Sequence, residues 1–171
     1  MLTEGRLFGG TLADLSDVRA AFPDATLLRK DFVLDEYMLA ESRAHGADLV
    51  LLMVSVLGEK TGEMAALAFA HGLEPLVETR DAAEIAIAAR SGARLIGINN
   101  RNLDTLTVDL RTGTRLLPLL PAGAYPVVES GISTADQVRD FHRAGARLFL
   151  IGESLAGSKD PAYTIRRYMG K

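Results

Sequence analysis

A short unit recurs along this chain: an amphipathic stretch ends on a small residue, a glycine follows, and a brief apolar run begins. His45-Gly46-Ala47-Asp48 precedes Leu49-Val50-Leu51-Leu52-Met53, Ser91-Gly92-Ala93-Arg94 precedes Leu95-Ile96-Gly97-Ile98, and Ala144-Gly145-Ala146-Arg147 precedes Leu148-Phe149-Leu150-Ile151. His71-Gly72-Leu73-Glu74 before Pro75-Leu76-Val77 is a looser copy. Glycine at the end of a helical stretch reads as the left-handed residue that closes a helix, where a Cβ carries a steric cost. The apolar runs are nearly continuous rather than alternating, as parallel strands covered on both faces are.

The stretches between the runs read as helices. Asp35 is placed to cap a helix over 36–44, Thr134 one over 135–143, and Asp81 one over 82–90. Leu12, Leu15, Val18 and Ala21 form one apolar face of an earlier helix. Strands are expected near 26–29, 49–53, 74–77, 95–98, 125–128 and 148–151, with residues 1–3 as the stub of another. A chain of 171 residues with 48% hydrophobic residues is sized for one domain, here 1–171, with its own core. Helix and strand alternating at this spacing leave a doubly wound sheet or a (β/α)8 barrel.

The residues that end each apolar run separate the two. Arg29-Lys30-Asp31, Ser55, Glu78, Asn99-Asn100-Arg101, Glu129-Ser130 and Gly152-Glu153-Ser154 all stand where a run stops. A doubly wound sheet gathers its ligand groups mainly at one switch point, whereas nearly every strand here delivers a polar group to the same edge. That is a barrel with its site on the C-terminal face. Neither G-x-G-x-x-G nor G-x-x-x-x-G-K-[ST] occurs, so dinucleotide and P-loop readings lack their motif.

Other function classes fall away on composition. A net charge of −3 offers no global basic field for nucleic acid or acidic lipid, and the absence of cysteine excludes disulfides, thiolate metal sites and cysteine nucleophiles. The apolar runs are shorter than about ten residues, too short to cross a bilayer. Met1-Leu2-Thr3-Glu4-Gly5 carries neither a basic nor an apolar leader region, so a cytoplasmic location is expected. His45, His71 and His142 fall near helix C-termini, where a cation suits the helix dipole, and no metal site is expected of them.

Several strand-end residues can carry chemistry. Lys30 can act as a general acid or as a cation for an oxyanion or phosphate, or it is a loop lysine at the surface. Glu78, flanked by apolar wall, suits a general base, or forms an ion pair with Lys30, Arg80 or Arg101. Glu129 is a second carboxylate, and two carboxylates with one lysine suffice for acid–base chemistry without a metal. Of Asn99 and Asn100, one can hold a hydroxyl or carboxylate and the other shape the turn. Arg101 can clamp a carboxylate or lock its loop. Ser130-Gly131 and Gly152-Glu153, after the last two strands, fit the place where barrels hold phosphate on backbone N–H groups, although the Glu153 carboxylate must then turn away. Phe8, Phe32 and Leu103 lie just past strand ends, where they either pack or wall an aromatic ligand.

Leu28-Arg29-Lys30-Asp31-Phe32, Leu76-Val77-Glu78, Ile96-Gly97-Ile98-Asn99-Asn100-Arg101-Asn102-Leu103, Val127-Val128-Glu129-Ser130-Gly131-Ile132 and Ile151-Gly152-Glu153-Ser154-Leu155 together resemble indole-3-glycerol phosphate synthase, as do Leu2-Thr3-Glu4 and Phe8-Gly9-Gly10. The likeness runs in order through residues 2–155, and segments 29–32 and 97–103 separate this family from other phosphate-binding barrels. The resemblance implies a carbon–carbon lyase, a carboxy-lyase of tryptophan biosynthesis. It closes the indole ring of 1-(2-carboxyphenylamino)-1-deoxyribulose 5-phosphate with loss of CO₂ and water, and it needs no metal or organic cofactor. It implies Lys30 as general acid, Glu78 as general base in the dehydration, and Asn99 and Glu129 as positioning and stabilising groups. Phe8, Phe32 and Leu103 would line the anthranilate pocket with Arg101 beside them, and Ser130, Gly131, Gly152 and Glu153 would hold the phosphate.

The resemblance also has departures. Arg80 stands where the family often has histidine. The first segment resembles the family's second strand, so the expected fold is an incomplete (β/α)8 barrel of strands 2–8. The family's first strand, with its glutamate and lysine in a Lys-x-x-Ser-Pro-like segment, has no counterpart here. A full barrel runs about 250 residues. An open barrel has unpaired strand edges, through which it could self-associate or be complemented, and its activity alone is expected to be impaired. Two other readings remain: a non-catalytic phosphate-ligand-binding or assembly module, and a related phosphoribosyl isomerase-type barrel.

Overall fold

The structure is a computed structural model, and it describes residues 1–103 and 105–171. Among the described residues, six parallel strands lie in chain order across one sheet: β1 (Leu28–Arg29), β2 (Leu49–Met53), β3 (Glu74–Thr79), β4 (Leu95–Asn99), β5 (Tyr125–Glu129) and β6 (Leu148–Leu150). Ahead of them Leu2 bridges Lys30 in parallel. The Met1 carbonyl accepts from the Lys30 N–H at 2.7 Å and the Thr3 N–H donates to the Lys30 carbonyl at 3.3 Å, so residues 1–3 occupy a seventh strand position.

Helices return the chain from strand to strand. They are α1 (Gly5–Phe8), α2 (Leu12–Ala21), α3 (Glu36–Ala44), α4 (Val54–Leu57), α5 (Thr61–Ala70), α6 (Ala82–Ala88), α7 (Arg111–Leu116), α8 (Ala135–Arg143), α9 (Glu153–Ala156) and α10 (Pro161–Tyr168). Local chemistry sets several boundaries. Asp35, Asp81 and Thr134 each accept the N–H three residues on, and at Thr134 the Gln137 side chain returns the bond. Gly46, Gly72, Gly92 and Gly145 all have positive φ, as the repeat requires. Helix α6 stops at Ala88, two residues short of the expected end. The Arg90 and Ser91 N–H groups reach back only three residues, and the Ser91 hydroxyl also takes the Ala88 carbonyl.

The sheet curls. Lys30, just past β1, and Glu129, on β5, meet at 3.2 Å, although four strand spacings in a flat sheet would hold them about 19 Å apart. Curling gives each strand an inner and an outer side. Val50, Leu52, Val77 and Ile96 face outward into a buried cluster with Leu39, Met64, Ala65 and Ala68 of the helices. Ile98 and Val128 join Ile85, Leu116 and Phe141 in a second outer cluster. Leu51, Met53, Leu76 and Val127 face inward and pack with Leu28, Phe32, Leu95, Leu103 and Leu150. Apolar residues on both faces explain why the runs in the sequence do not alternate. Among the described residues, no helix is long and apolar enough to cross a membrane.

Candidate active site

The inner face changes character toward the C-terminal ends of the strands. Stepping two residues from each inward apolar residue leads from Leu28 to Lys30, from Leu76 to Glu78, from Leu95 through Gly97 to Asn99, and from Val127 to Glu129. Strands β3, β4 and β5 run one or two residues further than expected, so Glu78, Asn99 and Glu129 sit inside them on rigid backbone. The register pairs Asn99 with Glu129 and Glu78 with Gly97.

These side chains form one cluster. Lys30 Nζ lies 3.1 Å from Glu78 Oε2 and 3.2 Å from Glu129 Oε2. Asn99 Nδ2 donates to Glu78 Oε1 at 3.0 Å, and Asn99 Oδ1 accepts the Arg101 N–H at 2.9 Å. Both carboxylates are buried, while the Lys30 side chain keeps 33% of its surface exposed and faces the opening. Glu129 Oε1 is buried with no hydrogen-bond partner among the described residues. It has room only because residue 97 is glycine: a Cβ there would stand 2.3 Å from Glu129 Oε1.

Two carboxylates around one ammonium leave a negative excess on buried groups. Burial, and after it the Glu78 charge, push the Glu129 carboxyl up to about 8 against the opposing pull of Lys30. For Lys30, burial favours the neutral amine, but the charges of Glu129 and Glu78 and their hydrogen bonds outweigh it and raise its pKa. The cluster therefore keeps a protonated lysine and, near neutrality, a proton on its carboxyl pair. Between about 4.5 and about 8 the folded chain holds a proton at Glu129 that the unfolded chain releases. Stability from this group is full below the unfolded value and is lost as pH rises through the folded one. The melting temperature of the wild type should fall between pH 5 and 8.5, and Glu129→Gln should flatten that fall. Parallel melting curves for the two proteins would refute this assignment.

Two cavities adjoin the cluster. The smaller, about 160 Å³, is walled by Phe8, Phe32, Leu51, Met53 and Leu103, with Lys30, Glu78, Asn99 and Arg101 along one side. The larger, about 1210 Å³, runs from Thr26 and Leu27 up to Lys30 and Glu129 and on to Ser130, Gly131, Gly152 and Glu153. Ser130 has φ +66° and Gly131 φ +79°, two successive left-handed residues at the rim of this cavity. A Cβ on Gly152 would meet nothing within 4 Å, so backbone there is open to an approaching group. Glu153 is turned to Arg101, whose Nη2 lies 3.2 Å from its Oε2, and Arg101 Nη1 donates to the Leu106 carbonyl at 3.1 Å. Arg101 thus takes the loop-locking arrangement.

The residues expected to act on, wall in or hold the ligand all line these two spaces, whereas Asn100 lies behind them and Ser55 falls apart, exposed on α4. His45 and His71 cap α3 and α5 and His142 lies in the last turn of α8. Among the described residues no group of three or more metal-ligating side chains forms. Three supports of the site have roles that the strand-end pattern does not reveal. Gly97 is one. Asn100, the turn-shaping member of its pair, is another. The third is the buried Arg29, which donates to Thr3, Asp31, Met38, Glu41 and Ser42 and so ties residues 1–3 and α3 to the backbone beside Lys30. Burial opposes ionisation of Asp31 within this knot, but hydrogen bonds from Thr3 and Arg29 prevail and hold its carboxyl below the usual range. A charged residue alternating with an inward lysine is the available signal.

Fold and cluster define a parallel α/β chain of the barrel type, with a lysine, two carboxylates and an amide at the C-terminal mouth of the sheet. The family model for indole-3-glycerol phosphate synthase matches residues 1–168. A protein of that name from Nocardioides sp. is 47% identical over 171 residues, covering 99% of this chain and 65% of its own length. Indole-3-glycerol phosphate synthase 1 of Streptomyces coelicolor is 47% identical over 162 residues, covering 94% of this chain and 60% of its own length. The fold is shared with 3-hexulose-6-phosphate synthase from Salmonella typhimurium, at a TM-score of 0.82 and 17% identity over 99% of this chain and 83% of that one. The chain belongs to the indole-3-glycerol phosphate synthase family, and it spans less than two thirds of the length of these two curated relatives.

Proposed function

We propose that this chain carries the reaction face of an indole-3-glycerol phosphate synthase, closing the indole ring of 1-(2-carboxyphenylamino)-1-deoxyribulose 5-phosphate with release of CO₂ and water in tryptophan biosynthesis. The single observation that carries the reading is Lys30 held between Glu78 and Glu129, with Asn99 on Glu78, at the junction of an aromatic-walled cavity and a larger one rimmed by left-handed backbone. In this reading the strand positions correspond to strands 2–8 of a (β/α)8 barrel, residues 1–171 act as one domain, and the setting is cytoplasmic.

The substrate makes three demands that the site meets separately. Its carboxylated aryl ring needs an apolar slot, supplied by Phe8, Phe32 and Leu103 with Arg101 at the polar side. Its ketone must gain positive character before the ring carbon attacks. Lys30, kept protonated by two carboxylates, serves as the acid at that oxygen. Carbon–carbon bond formation at the ring is followed by loss of CO₂, which restores the electron pair to the ring. Glu78, its carboxylate held by Asn99, then accepts the proton of the carbon next to the carbinol, while Lys30, held by Glu129 and reprotonated from solvent, gives the proton with which the hydroxyl leaves as water. The phosphate lies at Ser130, Gly131, Gly152 and the backbone of Glu153, whose side chain is occupied by Arg101.

Purified chain supplied with this substrate should form indole-3-glycerol phosphate above the uncatalysed background, read by appearance of the indole chromophore. Tight binding without product would replace catalysis by the ligand-binding reading, and neither binding nor product would remove both.

A further inference from the structure

We propose that Asn100 is a positioning residue that sets affinity for the phosphate end of the ligand through Ser130, without touching the ligand. The inference rests on the phosphate reading above. Asn100 is 2% exposed and lines neither cavity. Its four hydrogen-bonding groups join three separate segments. Nδ2 donates to the Ser130 carbonyl at 3.1 Å, Oδ1 accepts the Gly113 N–H at 2.9 Å, the backbone N–H donates to the Glu129 carbonyl at 3.0 Å, and the backbone carbonyl accepts the Asp109 N–H at 2.9 Å.

Ser130 is one of only two non-glycine positive-φ residues among those described. An L-residue does not stay left-handed unless its surroundings hold it there. Asn100 supplies that hold from two sides. Its amide fixes the Ser130 carbonyl, and its backbone carbonyl anchors Asp109, next to Val108, which packs where a Gly131 Cβ would lie, 2.3 Å from that position. The Ser130–Gly131 peptide is planar and trans, so the Ser130 C=O and the Gly131 N–H point opposite ways. Fixing the carbonyl toward Asn100 thereby fixes the Gly131 N–H toward the other side, where Gly131 lines the large cavity. Released from Asn100, the peptide is free to rotate and the donor is lost to an anion.

The test uses sulfate, a dianion across the working pH range, and 2-aminobenzoate as a probe of the aromatic cavity. Both are titrated by calorimetry and by amide NMR shifts of the whole chain. In the wild type sulfate should shift Ser130 and Gly131. Asn100→Asp keeps an acceptor for Gly113 and removes the donor to Ser130, whereas Asn100→Ala removes the amide without adding charge. Each should weaken sulfate binding about ten-fold or more while 2-aminobenzoate affinity stays within about two-fold of wild type. Unchanged sulfate affinity in either folded variant overturns the proposal, as does a parallel loss for both ligands, which marks a merely structural role. A wild type in which sulfate leaves Ser130 and Gly131 unshifted overturns the phosphate reading itself. Should neither variant fold, the wild type still decides: sulfate must slow hydrogen exchange of the Gly131 N–H and the Asn100 side-chain amide together, and protection of Gly131 alone overturns the inference.

Discussion

Replacing Lys30 by methionine is expected to abolish ring closure while leaving the fold in place. The lysine lines both cavities, and the charges and hydrogen bonds of Glu78 and Glu129 keep it protonated. Methionine fills a similar volume but can neither donate to the developing alkoxide nor balance the carboxylates. Loss of a positioned general acid lowers the rate by about 10²–10⁴-fold. The two carboxylates would then face each other with no counter-charge, so the Glu129 carboxyl should titrate even higher than in the wild type. Lys30→Arg, which keeps the charge but spreads it over a planar fork, should preserve the ion pairs and not restore turnover. Product formation by Lys30→Met at the wild-type rate would remove Lys30 from the chemistry.

Gly97→Ala should damage the site from a position that carries no functional group. Its Cβ would lie 2.3 Å from Glu129 Oε1, 3.4 Å from Glu129 Cδ and 3.5 Å from Leu76 Cδ1. Glu129 is buried and hemmed in, so its carboxylate must swing off Lys30 or β4 must shift against β5. Overpacking of this kind costs about 1–3 kcal/mol, and for a chain of this size each kcal/mol lowers the melting temperature by about 2–4 °C. A fall of several degrees in thermal melting is expected, together with a drop in turnover larger than any change in affinity for 2-aminobenzoate, whose cavity Gly97 does not line. An alanine variant with wild-type melting and turnover would show that Glu129 does not need its present place.

Much of the frame is legible in the sequence because its determinants are local. Glycine after a helical stretch, Asp or Thr before one, and runs such as Leu49-Val50-Leu51-Leu52-Met53 act within a few residues, and all reappear at the expected places. The candidate site is legible for a related reason. Once the strands are parallel and covered on both faces, parity alone carries Leu76 to Glu78 and Val127 to Glu129 on the inner side. The features that escape depend on register between distant strands. That Gly97 leaves space for a carboxylate two residues beyond its β5 partner cannot be read from 97 or 129 separately. Asn100 reads as a turn residue until Ser130 and Gly113 arrive from 30 and 13 residues away. Arg29 reads as a polar strand end, yet its partners on α3 and residue 3 make it a buried tie. The expected ends of β3, β4 and β5 fall one or two residues short, because polar residues at an inward C-terminal edge look like the start of a loop, whereas β1 begins two residues later than expected and β6 ends one residue earlier.

The most direct test is the structure of the chain bound to an unreactive analogue of the proposed substrate in which the ketone is reduced to an alcohol. The account predicts that alcohol within hydrogen-bond distance of Lys30 Nζ, the aryl ring among Phe8, Phe32 and Leu103, and the phosphate on the backbone of Ser130, Gly131, Gly152 and Glu153. An analogue seated away from Lys30, or with its phosphate outside that rim, would contradict it.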